Sequence, residues 1–320
     1  MTPPLGVVLV AYQSRDVILG CLETLLAAAD GTALRVVVVD NASPDDTVAT
    51  VRAWTAGTAP WIPPAGLPFA PAPVPKPLPP GLVSVLAAEI NGGFAAGVNL
   101  GLRHLFADPA ISRVWVLNPD SLVPPGTPAA FARHDPGPFA LMGGRVVYLD
   151  GTNRIQTDGG RIDWRTGVTH NLNQFAPADS PPPDPAAIDF VSGASMVASR
   201  AFWEAAGPMA EDYFLYYEEV DWALRRGALP LARCPGALVY HHGGTAIGSA
   251  APTRPASPFA LYFLHRARHR FVRRHRPAAR AGAWAFTLAK AAQLRLRGWR
   301  AEAAAVLAGA RDTDPPAAIR

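Results

Sequence analysis

Cysteine is scarce in this chain. Cys21 and Cys234 are the only two in 320 residues, and neither sits in a CxxC pair. A disulfide framework is excluded, and a cytoplasmic setting is the default expectation. Long apolar runs are missing too. No window reaches about 18 uninterrupted apolar residues, so no membrane-spanning helix is expected. The early run "GVVLVAY" (6–12) is too short for the apolar region of a signal peptide and has no basic flank. Glycine is absent from the turn that follows it, "AYQSRD". A Rossmann dinucleotide site needs Gly-x-Gly-x-x-Gly there, and no P-loop occurs either, so any nucleotide is held in another way. Acidic residues are absent from 254 to 300, a stretch with twelve Arg or Lys. That segment carries +12; the net charge is +4, so the rest of the chain carries −8. A basic tail on an acidic body suggests a polyanionic surface as partner. An anionic membrane surface through 254–300 is favoured over nucleic acid, for which no reading element is visible.

What is present begins with apolar content of 49%, enough for a sizeable core. "GVVLVAY" (6–12) and "LRVVVVDNAS" (34–43) read as buried strands. Between them, "SRDVILGCLETLLAA" (14–28) has helical spacing with Ser14 as a cap. "SPDDTVATVRAW" (43–54) reads as a helix with Pro44 at its first position and acids in its first turn. Strand and helix alternating at this spacing predict a parallel sheet with right-handed crossovers. The pattern breaks at 57–81, where ten of the residues from Pro60 to Pro80 are proline. An extended, mobile insertion is expected there. The sheet resumes with "LVSVLAAE" (82–89), a helix near 95–106, and the strand "RVWVLNPD" (113–120). After "ALMGGRVVYL" (140–149), a hairpin is expected around Gly159-Gly160. A strand over 189–199, an acidic helix in "LYYEEVDWALRR" (215–226), a strand over 231–242 and a helical basic tail from about 257 complete the reading.

Open parallel sheets bind ligands at the carboxyl ends of their strands. Those ends carry Ala11-Tyr12, Asp40-Asn41, Asn91-Gly92-Gly93 and Asn118-Pro119-Asp120. Asp40 stands where a base or ribose would be hydrogen-bonded, or where it would simply close an Asx turn. Asp120 stands where a divalent ion would be held, or where it would cap a turn. Gly97 serves donor contact or close helix packing.

The segments "VVLVAYQS", "VVVVDNASPDDT", "NGGFAAGVNLGL", "VWVLNPDS", "FVSGASMVASR", "YFLYYEEVDWALRRG" and "VYHHGG" occur in the order seen in inverting family-two glycosyltransferases. The chain resembles that family over about 6–245, most of all its rhamnosyltransferase-type branch. The resemblance implies the α/β GT-A fold: a mixed, mostly parallel central sheet flanked by helices. Here it would carry a basic helical C-terminal extension. The implied division is a transferase domain over 1–245 and a basic helical region over 246–320. The implied reaction moves a sugar from a nucleotide-diphosphate donor, dTDP-rhamnose or a UDP-sugar, to a glycan or lipid-linked acceptor. The implied place is the cytoplasm, on the inner face of the cell membrane.

Roles carry over position by position. Ala11, Tyr12, Asp40 and Asn41 would meet base and ribose, and Asn91, Gly97, Asn118 and Asp120 the rest of the donor. Asp120 would hold Mg²⁺ or Mn²⁺ with His241, whose rival is His242; the first position of the family's DXD motif is Asn118 here. A carboxylate at the start of the acidic helix would be the general base, and Glu219 aligns with it, next to Glu218. On a helix Glu218 and Asp221 share a face while Glu219 points about 100° away. Asp221, counted with the catalytic group, could also pair with Arg225 four residues on. The competing reading is a non-catalytic membrane-docked scaffold of the same fold. A sugar nucleotidyltransferase is disfavoured because "AYQSRD" is no phosphate loop. "LYFLHRARHRFVRRH" (261–275) reads either as a basic helix docked on the domain or as an interfacial helix on acidic lipid.

Overall fold

The computed structural model describes residues 3–243 and 254–315. Strands β1 (Leu5–Ala11) and β2 (Leu34–Asp40) are apolar on both faces because both faces are covered. Leu5, Val7, Leu9 and Ala11 of β1 enter one core with α1 (Ile18–Ala27) and α2 (Thr47–Ala56). Val8 and Val10 enter a second core beneath α3 (Phe94–Phe106). Side chains alternate across a strand, so two layers of helices grow from one apolar run. α3 lies close on β1 because Gly97 and Gly101 lack side chains. A Cβ on either would stand 2.5 or 2.6 Å from a methyl of Val10 or Val8.

The remaining strands are β3 (Val83–Ala87), β4 (Arg113–Leu117), β5 (Ser121–Leu122), β6 (Leu141–Tyr148), β7 (Ile155–Thr157), β8 (Gly160–Asp163), β9 (Val168–Asn171), β10 (Ser195–Ser199) and β11 (Ala232–His241). The large sheet runs β3-β2-β1-β4-β10-β6-β11-β5, with β7 on β6, while β8 and β9 form a separate hairpin. β3, β2, β1, β4, β6 and β11 share one direction; β10, β5 and β7 oppose it. The sheet is thus mixed and mostly parallel. Strand order reverses at β1, which pairs β2 on one side and β4 on the other. Ligands gather outside the carboxyl ends of strands at such a switch point. The other helices are α4 (Thr127–Arg133), α5 (Arg200–Ala206), α6 (Glu218–Leu224), α7 (Pro258–His275), α8 (Arg280–Leu296) and α9 (Arg300–Arg311). Among the described residues no helix is long and apolar enough to cross a membrane.

Several local expectations are corrected. Ser14 does not cap α1 with its side chain; its hydroxyl donates to the Tyr12 carbonyl and accepts from the Tyr12 N–H. α2 begins at Thr47, with no acid in its first turn, because Asp45 takes the Thr47 N–H and hydroxyl and closes a turn first. The hairpin turn lies at 164–167 rather than at Gly159-Gly160. Asp163 anchors that turn through the Arg165 N–H and the Thr166 hydroxyl. Of 189–199, only the last five residues form a strand.

The proline-rich segment has no helix or strand, as its composition requires. It is nonetheless fastened: Lys76 pairs with Glu23 at 2.9 Å and lies over the Trp54 ring, and Trp61 and Leu78 pack on the α1–α2 core. α7 is not a free interfacial helix. Leu261, Tyr262, Phe271 and Val272 are buried, and Arg266, Arg270, Arg273 and Arg274 face Asp312, Asp212 and Asp221. The division expected at 245/246 lies outside the described residues.

Candidate active site

At the carboxyl ends of β1, β2 and β4 lies a cleft of about 480 Å³. Tyr12, Asn41, Asn91, Asn118 and Asp120 line it, so five of the expected donor contacts share one cavity. Three do not reach the wall. Ala11 is buried and its carbonyl accepts from the Asn41 N–H. Asp40 lies just behind Asn41. Its Oδ2 accepts from the Ser43 N–H in the Asx turn, while its buried Oδ1 has no partner. Gly97 is corrected: pressed on Val10, it serves helix packing rather than donor contact.

The rim on the β2–β3 side is a set of interlocked amides. Asn41 Nδ2 donates to Asn91 Oδ1 at 2.8 Å and to the Gly93 carbonyl at 3.0 Å, and Gly92 N–H donates to Asn41 Oδ1. Gly93, at φ 85°, leaves room for the chain at Phe214, whose carbonyl a Cβ there would strike. Phe214, Tyr216 and Tyr217 all carry φ near 70°, a left-handed run that aromatic residues rarely adopt. Its anchors are Phe94 N–H on the Phe214 carbonyl and the Tyr217 hydroxyl on the Gly167 carbonyl. This strained run closes the cleft with Phe214 and Leu215 and then releases the chain into α6.

Opposite, the carboxylate and imidazole meet. His241, at the end of β11, places Nε2 3.0 Å from Asp120 Oδ1 and 3.1 Å from Asn118 Nδ2. Its Nδ1 lies 2.8 Å from Gln156 Oε1. Gln156 fixes the tautomer, because Nδ1–H donates to its amide oxygen and a neutral ring then turns the Nε2 lone pair toward Asp120. Burial resists ionisation of Asp120; only with the imidazole protonated do the hydrogen bond and charge of His241 hold its carboxyl below the usual range. Two lone pairs at that distance call for a proton or a cation between them. Two ligands at right angles on a hard octahedral ion lie about 3.0 Å apart, so the pair fits Mg²⁺ or Mn²⁺. Among the described residues no group of three His, Cys, Asp or Glu could hold a metal. Asp120 and His241 would thus supply two ligands at most to such an ion, the remaining positions being left to other oxygen donors. His242, its rival, is exposed, and its backbone N–H donates to the Asp120 carbonyl.

The acids of α6 divide as helix geometry requires. Glu218 is 2% exposed, and its Oε2 is buried without a partner. Burial first, then the charge of Glu219, pushes its carboxyl well up. Glu219 is half-buried on a different face. Burial raises it to about 7 against the pull of the Glu219 and Val220 N–H groups. Gly193 stands between Glu219 and the cleft wall: a Cβ there would lie 3.2 Å from Phe94 Cε1 and 3.9 Å from Glu219 Cβ.

Asp221 is corrected from a catalytic to an anchoring residue. It is fully buried and bound by His275 Nε2 at 2.7 Å, Arg225 Nε at 2.9 Å, Arg274 at 3.1 Å and the Tyr213 hydroxyl at 3.2 Å. Burial opposes its ionisation, yet His275, Arg274 and Arg225 together hold it far below the usual carboxylate range. It ties α6 to α7. Asp221→Asn should lower stability by about 3 kcal/mol, the low end for breaking a buried ion pair, because Arg225 and Arg274 keep access to water. Denaturant unfolding checks this. The contribution is present above the ordinary carboxylate pKa and is lost as pH falls through the lowered one, so the gap between wild type and variant should close in acid.

Gln156, Phe214, Leu215 and Phe259 are site residues that sequence reading missed. Only the "YFLYY" run before the acids offered a signal for any of them.

A switch-point cleft with a carboxylate–histidine pair on one rim and a raised glutamate behind another defines the class: a nucleotide-sugar transferase of GT-A architecture. The family model for glycosyl transferase family 2 matches residues 6–204, and the chain belongs to that family. It is similar to the low-salt glycan biosynthesis hexosyltransferase Agl10 of Haloferax volcanii, 24% identical over 145 residues, 42% of this chain. The match spans 43% of that relative, less than half its length. Among solved structures it is similar to the mannosyltransferase PcManGT of Pyrobaculum calidifontis, in complex with GDP-Man and Mn²⁺. The TM-score is 0.54 and the identity 17%, over 98% of this chain and 87% of that one. It is also similar to GalNAc-T7 with UDP, GalNAc and Mn²⁺, with TM-score 0.53, identity 13%, and coverage of 85% and 48%. At these identities the likeness shows the fold.

Proposed function

We propose that this glycosyltransferase works by inversion on a nucleoside-diphosphate sugar, in the branch that uses dTDP-rhamnose or a UDP-sugar. The acceptor is a hydroxyl of a glycan or lipid-linked precursor at the cytoplasmic face of the membrane. The transferase domain occupies 1–245, followed by the basic helical region. The observation that carries this reading is the Asp120–His241 pair at 3.0 Å on the rim of a cleft also lined by Tyr12, Asn41 and Asn91.

The residues divide the work. Tyr12 and Asn41 on the cleft wall meet base and ribose, with Asp40 fixed in its Asx turn just behind Asn41. Asp120 and His241 would hold a divalent ion, which would supply neutralisation of charge on the departing diphosphate. Glu219 takes the proton of the acceptor hydroxyl as that oxygen bonds to the anomeric carbon. The bond from that carbon to the phosphate oxygen breaks on the opposite face, and its electron pair leaves with the nucleoside diphosphate. Burial and the charge of Glu219 push the neighbouring Glu218 carboxyl well up.

Thermal unfolding with a panel of sugar nucleotides tests the donor site. At least one should raise Tm with Mn²⁺ present, and by less without it. A panel with no stabilising member would refute the assignment.

A further inference from the structure

α8 is apolar on two sides. Its inner side, with Ala283, Thr287, Ala291 and Leu294, is buried. Its outer side is a ridge of Ala281, Ala285, Leu288, Ala289, Ala292 and Leu296, spaced three, four and one apart on one 100°-wide stripe. Leu288 is 55% and Leu296 89% exposed, and Phe286 flanks the ridge at 39%. A solvated helix carries polar residues on its outer stripe, whereas one apolar all round is covered. Cations surround the ridge: Arg280 at its start and Arg295, Arg297 and Arg300 at its end are exposed, within a stretch that contains no acid from 254 to 300. These differ from the arginines of α7, which face Asp212, Asp221 and Asp312.

We propose that the outer face of α8 docks on an anionic lipid bilayer, the leucines entering the headgroup–acyl boundary and the arginines meeting lipid phosphates. Two features together select that partner. Nucleic acid would satisfy the arginines but leave the leucines in water. A second copy related by a two-fold axis would set this cationic ridge against its own like. A bilayer with acidic headgroups offers both an apolar layer and negative charge within one Debye length. α8 packs on α7, whose Phe259 lines the cleft.

Flotation with vesicles tests this, with no reliance on catalysis. The wild-type chain should float with phosphatidylcholine vesicles containing phosphatidylglycerol and stay behind with phosphatidylcholine alone. Leu288→Glu/Leu296→Glu should weaken partition at least about tenfold, with Tm and sugar-nucleotide stabilisation unchanged, as should Arg295→Glu/Arg297→Glu. The proposal is overturned if the wild type fails to float with acidic vesicles, or if either double variant floats equally well. It is also overturned if the wild type is a dimer in vesicle-free buffer that Leu296→Glu dissociates.

Discussion

Glu219→Gln should slow sugar transfer by about 10²–10⁴-fold, the range for loss of a positioned general base, and leave donor binding unchanged. Glutamine keeps the size of the side chain and cannot take a proton. Glu219 lies behind Phe94 and Gly193 rather than on the donor rim, so nothing that grips the nucleotide is removed. The pH profile adds a second readout. Burial raises Glu219 to about 7, and the base must be ionised to act. The wild-type rate should therefore fall about tenfold per unit as pH drops below that value, and level off above it. The residual rate of Glu219→Gln should lack that limb. Equal transfer by variant and wild type would move the base elsewhere, with Glu218 next in line.

Asp120→Ala should weaken Mn²⁺-dependent binding of the nucleoside diphosphate about 100-fold or more and cut transfer in step. The proposed site has two protein ligands, Asp120 and His241 at 3.0 Å, so losing Asp120 would leave His241 alone to hold an ion. Gln156→Ala should have a smaller effect in the same direction, because it only fixes which imidazole nitrogen faces the site. Calorimetric titration with and without Mn²⁺ separates the two: Asp120→Ala should bind alike in both conditions. A variant that kept full metal-dependent affinity would place the ion elsewhere.

Much of the fold was legible because it is written in local periodicity. The apolar runs of β1 and β2 with helical spacing between them give the parallel half of the sheet, and polar residues at strand ends mark the rim. What pairing across long separations decides was not legible. β10 enters antiparallel between β4 and β6, 78 or more positions after the first of these in the register Ser195↔Leu117. Gln156 reaches His241 across 85 positions. Asp221 looked catalytic because Glu218 and Glu219 precede it, but its partner His275 lies 54 positions on, in a helix whose docking no local pattern announces. The α7 arginines misled in the same way: their carboxylates come from Asp212 and Asp312. Phe214, Tyr216 and Tyr217 adopt positive-φ backbone that their residue types disfavour, so propensity pointed away from the run that borders the cleft and leads into α6.

The most direct measurement is the anomeric configuration of the product. Transfer from a stabilising sugar nucleotide to its acceptor, followed by proton NMR of the anomeric resonance, reports the face on which the new bond formed. A single displacement with Glu219 as base gives a configuration opposite to the donor's. A product that keeps the donor's configuration would contradict the account.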